Sequence, residues 1–157
     1  FYMEKYVIKL ANEEHCKKIW EWRNDKVTRA MFINSDFVDW EQHESWYKKV
    51  MHDSNQYLYV GYLNNELVGV SRFDIFKNSK KHYKISINID PMKRGLGIGK
   101  KFLAKSIKTF WEEVPKANSI VAEIKKENLG SIKTFEINNF ELEKKYSKIY
   151  RYRLFRI

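Results

Sequence analysis

Residues 90–100 read Asp-Pro-Met-Lys-Arg-Gly-Leu-Gly-Ile-Gly-Lys, and they join a predicted strand directly to a predicted helix. Three glycines, Gly95, Gly97 and Gly99, stand where that helix begins. Glycine allows positive φ and a close approach of the backbone to a ligand. The free N–H groups of a first helical turn, aided by the helix dipole, favour an anion such as a pyrophosphate. The segment therefore predicts a phosphate-binding loop.

Two common phosphate loops do not fit this segment. It has no GxxxxGK[ST] pattern, and the spacing of its glycines differs from the GxGxxG of dinucleotide-binding folds. A glycine-rich helix cap without a ligand remains the alternative at this point.

The residues before this loop predict a strand, two helices and three further strands. Residues 6–10 read as a short strand, Asn12 as a helix N-cap, and Asp39 with Gln42 as a capping box opening a second helix. Period-two alternation then predicts strands over the following ranges, with a hairpin turn at Asn64-Asn65: 57–63, 67–76 and 84–90.

The residues after the loop predict a helix, a strand, a helix and a hairpin. Apolar residues recur at helical spacing up to Val114, and Pro115 ends that helix. The later elements are a strand at 120–125, a helix at 128–138, and strands at 140–144 and 149–155. One α+β domain over residues 1–157, with a mixed sheet flanked by helices, is the simplest assembly.

Composition limits the function classes. The single cysteine, Cys16, excludes an intrachain disulfide and a cysteine metal cluster, and we expect no metal site. No apolar run reaches 18 residues, so no membrane span is predicted and a cytoplasmic location is expected by default. The formal net charge of +10 suits a phosphorylated small molecule, nucleic acid or acidic lipid, or simply a solvated basic surface.

Two motifs resemble those of the GNAT acetyltransferase superfamily. Arg94-x-x-Gly97-x-Gly99 resembles its [Q/R]xxGx[G/A] cofactor signature. Residues 128–140, Asn-x-x-Ser-Ile-x-x-Phe-Glu-x-x-Asn-Phe, resemble its second motif, N-x-x-[A/S]-I-x-L-[Y/F]-E-x-x-G-F. The resemblance covers residues 84–140 closely.

The resemblance implies the GNAT fold and acetyl-CoA as cofactor. We expect a single, mostly antiparallel sheet of six to seven strands with about four helices, splayed between the strands at 84–90 and 119–125. The residues implied for the coenzyme are Ile87, Asn88, Ile89, Arg94, Gly95, Leu96, Gly97, Ile98, Gly99, Lys100, Asn128, Ser131 and Phe135. For Asn128 and Ser131, a plain N-cap with its first helical turn is an equal alternative.

Catalysis requires a proton acceptor for the amine and a donor for the leaving thiolate. Glu123 is the favoured base, since its strand places it near the expected gap, although an ordinary exposed carboxylate is an equal alternative. His82 is a weaker candidate base and a candidate acceptor contact. Phe135 stands where many relatives have the tyrosine that protonates coenzyme A. The donor is therefore another hydroxyl, with Tyr150 preferred over Tyr146 and Tyr152, or water.

The first helices resemble one branch of the superfamily, the UDP-4-amino-4,6-dideoxy-sugar N-acetyltransferases of the pseudaminic acid pathway. The residues that carry this resemblance are Glu21-Trp22-Arg23-Asn24, Met31-Phe32 and Trp40-Glu41-Gln42-His43-x-x-Trp46. It implies that Arg23 and Asn24 bind sugar or phosphate and that Trp22 and Trp46 stack on a ring. A core role for the tryptophans is the alternative.

We therefore expect a direct acetyl transfer from acetyl-CoA to a small-molecule primary amine, with a nucleotide amino sugar, a UDP-linked 4-amino-4,6-dideoxy sugar, as the acceptor. No nucleic-acid or membrane partner is expected, and a homodimer is allowed. The alternatives left open are acetylation of protein N-termini, as in ribosomal-protein acetyltransferases, and a non-catalytic acetyl-CoA-binding module.

Overall fold

A computed structural model describes residues 3–157, which form one seven-stranded sheet and five α-helices. The strands are β1 Tyr6–Leu10, β2 Gln56–Leu63, β3 Glu66–Phe76, β4 Ser79–Ile89, β5 Ser119–Lys125, β6 Glu141–Lys145 and β7 Ile149–Phe155. The helices are α1 Cys16–Arg23, α2 Lys26–Met31, α3 Trp40–His52, α4 Ile98–Glu113 and α5 Leu129–Ile137. Short 3-10 turns precede α1 and α4, at Glu13–His15 and Pro91–Lys93.

The sheet is mixed and mostly antiparallel, in the order β1-β2-β3-β4-β5-β7-β6. Only β4 and β5 pair in parallel. The predicted hairpin turn is confirmed, since Asn64 and Asn65 both have positive φ, at 50° and 69°. A second turn with positive φ, at Lys77 and Asn78, extends β4 back to Ser79, five residues before its predicted start.

The sheet opens between β4 and β5, as predicted. The two strands pair over only three residues each, and the last paired residues are Lys84 and Val121. Beyond that pair, residues 85–89 continue to pair with β3, while residues 122–125 continue to pair with β7. The two parallel strands therefore diverge toward their carboxyl ends and leave a gap.

Helices cover both faces of the sheet. The face carrying Phe73 and Tyr83 packs against α4 and α5, and the face carrying Leu58 and Val60 packs against α1 and α3. Phe102 of α4 lies so close to the sheet that a Cβ on Gly61 or Gly69 would meet its ring at 2.2 and 2.8 Å. Glycine at these two strand positions is therefore what lets α4 approach. This approach sets the position of the loop at the start of α4.

The helix α2 was not predicted from the sequence, and it makes the helix count five. It has six residues, and its apolar residues Val27, Ala30 and Met31 span a single turn, which is too short for periodicity to predict a helix. Its start is fixed by Asp25, whose side chain accepts a hydrogen bond from the Thr28 N–H. Within residues 3–157, no helix has the length and apolarity needed to cross a membrane.

Candidate active site

A cleft of about 890 Å³ lies where β4 and β5 part, and a smaller cavity of about 260 Å³ adjoins it. The cleft is bounded by β4, β5, the loop before α4, α2 and the start of α5. The smaller cavity lies between β2, β3 and β4 and the helices α1 and α3. The residues that line both are Arg23, Phe32, Arg72, Ser86, Ile87 and Asn88. The two spaces therefore form one site, and we call them the cleft and the side cavity.

The loop at 94–99 forms an open backbone cradle at one end of the cleft. Gly95 and Gly97 have φ of 77° and 75°, and Gly97 is the N-cap of α4. A Cβ built on either glycine would meet nothing within 4 Å, so the space above them is open. Gly99 has no positive φ, and a Cβ there would lie at an ordinary 3.7 Å from Ile89. Only the first two glycines are thus demanded by backbone conformation.

The residues expected to bind coenzyme converge on this cleft with one exception. Leu96 is 67% exposed and does not line the cleft. Those that line it are Ile87, Asn88, Ile89, Arg94, Gly95, Gly97, Ile98, Gly99, Lys100, Asn128, Ser131 and Phe135. Their roles remain predictions, but their convergence on one space is observed.

For Asn128 and Ser131 the N-cap alternative is observed, and the coenzyme contact stays a prediction. The Asn128 side chain accepts a hydrogen bond from the Ser131 N–H at 3.2 Å and caps α5. Both residues also line the cleft. The cap holds the first turn of α5 against the gap, so a structural role and a ligand contact are compatible.

Glu123 lies in the wall of the cleft, on β5. Its Oε1 lies 3.5 Å from Lys84 Nζ, and its Oε2 lies 3.6 Å from Arg151 Nη2. Lys84 belongs to β4, so this pair reaches across the sheet at the point where the gap begins. The Glu123 side chain is 21% exposed.

Cationic side chains outnumber carboxylates in the lining of the cleft. Glu123 is the one carboxylate among its lining residues within the described chain. The cations that line it are Arg23, Arg72, Lys84, Lys93, Arg94 and Lys100. Such a site favours anionic ligands.

The acetyltransferase (GNAT) family model matches residues 17–140, which is more than half of the chain. This chain belongs to the GNAT family. Its function as an acetyl-CoA-dependent N-acetyltransferase follows from that membership, with acetyl-CoA as the cofactor. The open cradle of the GNAT loop and the cationic lining fit a coenzyme that carries a diphosphate.

Among curated relatives, the acetyltransferase PseH of Campylobacter jejuni is 24% identical over 131 residues, which cover 83% of this chain and 80% of that protein. A crystal structure of C. jejuni N-acetyltransferase PseH in complex with acetyl coenzyme A has a TM-score of 0.75 and 22% identity, covering 96% of this chain and 100% of that one. A Vibrio cholerae spermidine N-acetyltransferase in complex with CoA and spermine has a TM-score of 0.84 at 14% identity, covering 96% and 95%. The two structures share the GNAT fold with this chain.

Phe135 occupies the position where many GNAT enzymes carry an acidic hydroxyl. It is buried and packs edge-on against Phe140, with ring centroids 4.9 Å apart. The structure does not support Tyr150 as the replacement. Tyr150 packs against the main core and is not among the residues that line the cleft or the side cavity. Within residues 3–157 no tyrosine lines either space.

His82 does not lie at the acceptor site, contrary to expectation. It pairs with Ser119 at the closed end of the β4–β5 ladder, where its Nδ1 lies 2.7 Å from the Ser119 hydroxyl. The cleft opens beyond Lys84, so His82 lies behind the point where the strands part.

Two of the expected acceptor contacts have structural roles instead. Trp22 is buried in the core between α1, α3 and the sheet, so it cannot stack on a ligand. The Asn24 side chain holds the Val38 backbone with two hydrogen bonds, of 2.7 and 2.8 Å, and lines neither space. These predictions are wrong because Trp22 points into the core and Asn24 orders the chain before α3.

The other two expected acceptor contacts do face the site. Trp46 lines the side cavity, and the Arg72 guanidinium lies over its ring at 5.2 Å. Arg23 lines both spaces. Its Nη2 donates to the Asn34 carbonyl at 2.7 Å, while its buried Nη1 has no hydrogen-bond partner among the described residues.

Sequence reasoning missed a second set of lining residues. These are Val27, Thr28, Ile33 and Asn34 around α2, and Arg72 and Ser86 on the sheet. Met31, Phe32 and His43 also line the site, and the sequence singled them out only as part of a family resemblance. The segment around α2 is too short for a periodic signal. Arg72 and Ser86 did give one, because the alternation of β3 and β4 places them on the same face of the sheet as Val70 and Asn88.

Proposed function

We propose that this enzyme acetylates the primary amine of an anionic small molecule, and that the acceptor is a UDP-linked 4-amino-4,6-dideoxy sugar. The pair Arg23 and Arg72 carries the proposal, because both residues line the cleft and the side cavity. Arg72 is ion-paired with Asp74 through Nε, at 2.9 Å, so its terminal N–H groups are the ones assigned to the acceptor. The similarity to PseH agrees with this acceptor class.

Arg23 is a half-buried cation whose buried Nη1 has no hydrogen-bond partner among the described residues. Burial lowers the pKa of Arg23, and the neighbouring charges of Arg29 and Arg72 lower it further. A buried N–H without a partner costs free energy. A phosphate oxygen would supply that partner and offset the repulsion between the guanidiniums, with which it can form bidentate bonds. The diphosphate of a nucleotide sugar meets both needs.

The side cavity suits a less polar part of the acceptor. Apolar side chains dominate its walls, namely Ile19, Phe32, Val38, Trp46, Leu58 and Val70. A deoxy sugar carries fewer hydroxyls than an ordinary hexose, so it leaves fewer polar groups without a partner in such a space. The combination of an apolar cavity with cations at its mouth suits a deoxy sugar linked to a phosphate.

Polyamines are disfavoured by the same charges. A polyamine would place ammonium groups beside Arg23 and Arg72, and like charges at short range repel. The similarity to the V. cholerae spermidine enzyme therefore concerns the fold, and we do not extend its acceptor to this chain.

The proposed chemistry uses the residues at the gap. Acetyl-CoA supplies an acetyl thioester. Residues 87–89 of β4 would hold the coenzyme along the gap, because they pair with β3 on one side and no longer pair with β5 on the other. Glu123 takes the proton of the attacking amine, directly or through one water. Because no tyrosine lines the site in the described chain, we assign protonation of the leaving thiolate to water.

We propose that residues 1–157 form one catalytic domain and that it acts in the cytoplasm, where acetyl-CoA is available. Association of two chains stays a prediction.

An acceptor panel tests the proposed function. Purified protein with saturating acetyl-CoA is offered the UDP-linked amino sugar, spermidine, or a peptide with a free N-terminus, and thiol release is followed. We expect turnover with the UDP sugar and a kcat/KM at least about 10²-fold lower for the other two, as the loss of one charged contact implies. Preferred turnover of spermidine or of the peptide would replace the proposed acceptor.

A further inference from the structure

The coenzyme loop is tied to α2 through Arg94. The Arg94 Nη2 lies 2.5 Å from Asp25 Oδ2 and also donates to the Thr28 hydroxyl. The same Asp25 oxygen accepts from the Thr28 N–H at 3.0 Å, which makes it the N-cap of α2. One carboxylate therefore joins the start of α2 to the first residue of the loop.

The other end of α2 is tied to the opposite wall of the gap. Lys125, at the end of β5, donates from Nζ to the Ala30 carbonyl at 3.0 Å. Arg94 follows β4, and β4 and β5 run parallel, so both anchors lie at the carboxyl ends of the strands that part. The six-residue helix thus spans the mouth of the gap.

This helix also supplies part of the acceptor side of the site. Thr28 and Met31 line the cleft, and Phe32 lines both the cleft and the side cavity. Just beyond, the Asn34 carbonyl receives the hydrogen bond that orients Arg23. A change in the conformational order of α2 would therefore move residues that line the acceptor side of the site.

Arg94 has donors left for a ligand. Both bonds to α2 come from Nη2, and Nε and Nη1 make no hydrogen bond or ion pair in the described part of the chain. A guanidinium has five N–H donors in a rigid fork, so it can bind two anions at once. Arg94 can hold Asp25 and a diphosphate oxygen together.

We propose that Arg94 and Asp25 couple the two halves of the site, so that coenzyme binding at the loop orders α2 and thereby completes the acceptor wall. Asp25 is a positioning residue in this scheme, because it acts through Arg94 and α2. Coupling of this kind is reciprocal, so an acceptor that packs on α2 would tighten coenzyme binding by the same factor.

Hydrogen exchange on residues 26–34 tests the coupling, with coenzyme A alone as the probe. In the native protein we expect saturating coenzyme A to slow exchange of this segment by about tenfold, within the usual range of coupling energies. In Asp25→Asn we expect the slowing to fall below about twofold. Asn caps a helix as well as Asp does, so α2 keeps its cap while the ion pair to Arg94 is lost. Calorimetry confirms that both proteins are saturated.

Asp39→Asn is the matched control. Asp39 caps α3 by accepting from the Gln42 N–H at 2.8 Å, so the change removes a charge from the same kind of cap, at a residue that does not bond to Arg94. We expect the full coenzyme effect on residues 26–34 in this variant. Undiminished slowing in Asp25→Asn would overturn the proposal, as would saturated native protein in which the segment does not respond. No acceptor is used, so a wrong acceptor assignment would leave this result unchanged.

If Asp25→Asn exchanges faster than native protein even without coenzyme, Arg94→Lys serves as the second variant. Lysine keeps the charge and the intact Asp25 cap but replaces the fork with a single ammonium. We expect it to bind coenzyme A and to lose most of the slowing. Native-like slowing in Arg94→Lys would show that the fork does not transmit the effect.

Discussion

Glu123 and Arg151 are directly opposite each other on β5 and β7, with 3.6 Å between Oε2 and Nη2. Arg151 also lies 3.8 Å from Glu143, so one guanidinium is shared by two carboxylates. Only Glu123 lines the cleft. Arg151 therefore bridges two carboxylates of one ionic network, of which Glu123 faces the cleft and Glu143 does not.

Glu123→Gln should lower kcat/KM by about 10²- to 10⁴-fold, the usual contribution of a positioned acid or base. Steady-state thiol release over a range of pH is the measurement. Glu143→Gln is the control, because it alters the same network outside the cleft, and it should lose less than about threefold. If the two variants lose activity equally, the network matters for structure and Glu123 is not the base.

Arg23→Met should raise KM for the UDP-linked acceptor by about 10²-fold, while KM for acetyl-CoA changes by less than about threefold. Methionine keeps much of the apolar stem but removes the charge that meets the phosphate. Initial rates with each substrate varied in turn measure the split. The control is Lys49→Met on the exposed face of α3, for which we expect native values. Equal losses for both substrates would indicate a folding defect or a different binding site.

Gly97→Ala and Gly99→Ala should differ although the residues are two positions apart. Alanine at Gly97 must adopt φ near 75°, which costs about 1 kcal/mol or more and distorts the cradle. Alanine at Gly99 meets only an ordinary contact. We expect coenzyme affinity to fall at least tenfold for Gly97→Ala and less than threefold for Gly99→Ala. Titration calorimetry with coenzyme A measures both, and a larger loss for Gly99→Ala would contradict the cradle geometry.

The free energy of unfolding should decrease as the pH falls below about 6.5. Burial lowers the pKa of His15 and of His43 in the native protein. The unfolded chain takes up protons near pH 6.5 and the buried rings do not, so the unfolded state binds more protons and stability falls with decreasing pH until the native pKa is reached. Urea denaturation between pH 8 and pH 5 measures the slope.

His43→Asn should flatten that slope, whatever its effect on stability at pH 8. His52→Asn is the control, since His52 is exposed at the end of α3, and it should leave the slope as in the native protein. An unchanged slope in His43→Asn would show that the pKa of His43 does not differ between the folded and unfolded states.

The fold could be predicted where local signals were strong. The alternation along β2, β3 and β4 and the Asn64-Asn65 turn fixed the meander, and Asp39 fixed the start of α3. The start of β4 was placed late because Lys77 and Asn78 form a turn without glycine, which the sequence pattern does not reveal. The helix α2 was not predicted because contacts with residues distant in sequence, Arg94 and Lys125, stabilise so short a helix.

The coenzyme side of the site was more predictable than the acceptor side. The loop and the cap at Asn128 are local motifs whose backbone geometry follows from the residues themselves. The acceptor side assembles α1, α2, β3 and β4, so its members are distant in sequence. Trp22 and Arg23 are adjacent in sequence, yet the helix turns one into the core and the other into the cavity. Only the packed structure separates them.

The most direct test of the account compares two acceptors that differ only in the nucleotide. We would measure kcat/KM for the UDP-linked 4-amino-4,6-dideoxy sugar and for the same amino sugar without UDP, at saturating acetyl-CoA. Since Arg23 and Arg72 are proposed to hold the diphosphate, the free sugar should be at least about 10²-fold poorer, and most of that ratio should vanish in Arg23→Met. Equal values for the two sugars in the native enzyme would contradict an acceptor recognised through its negative charge.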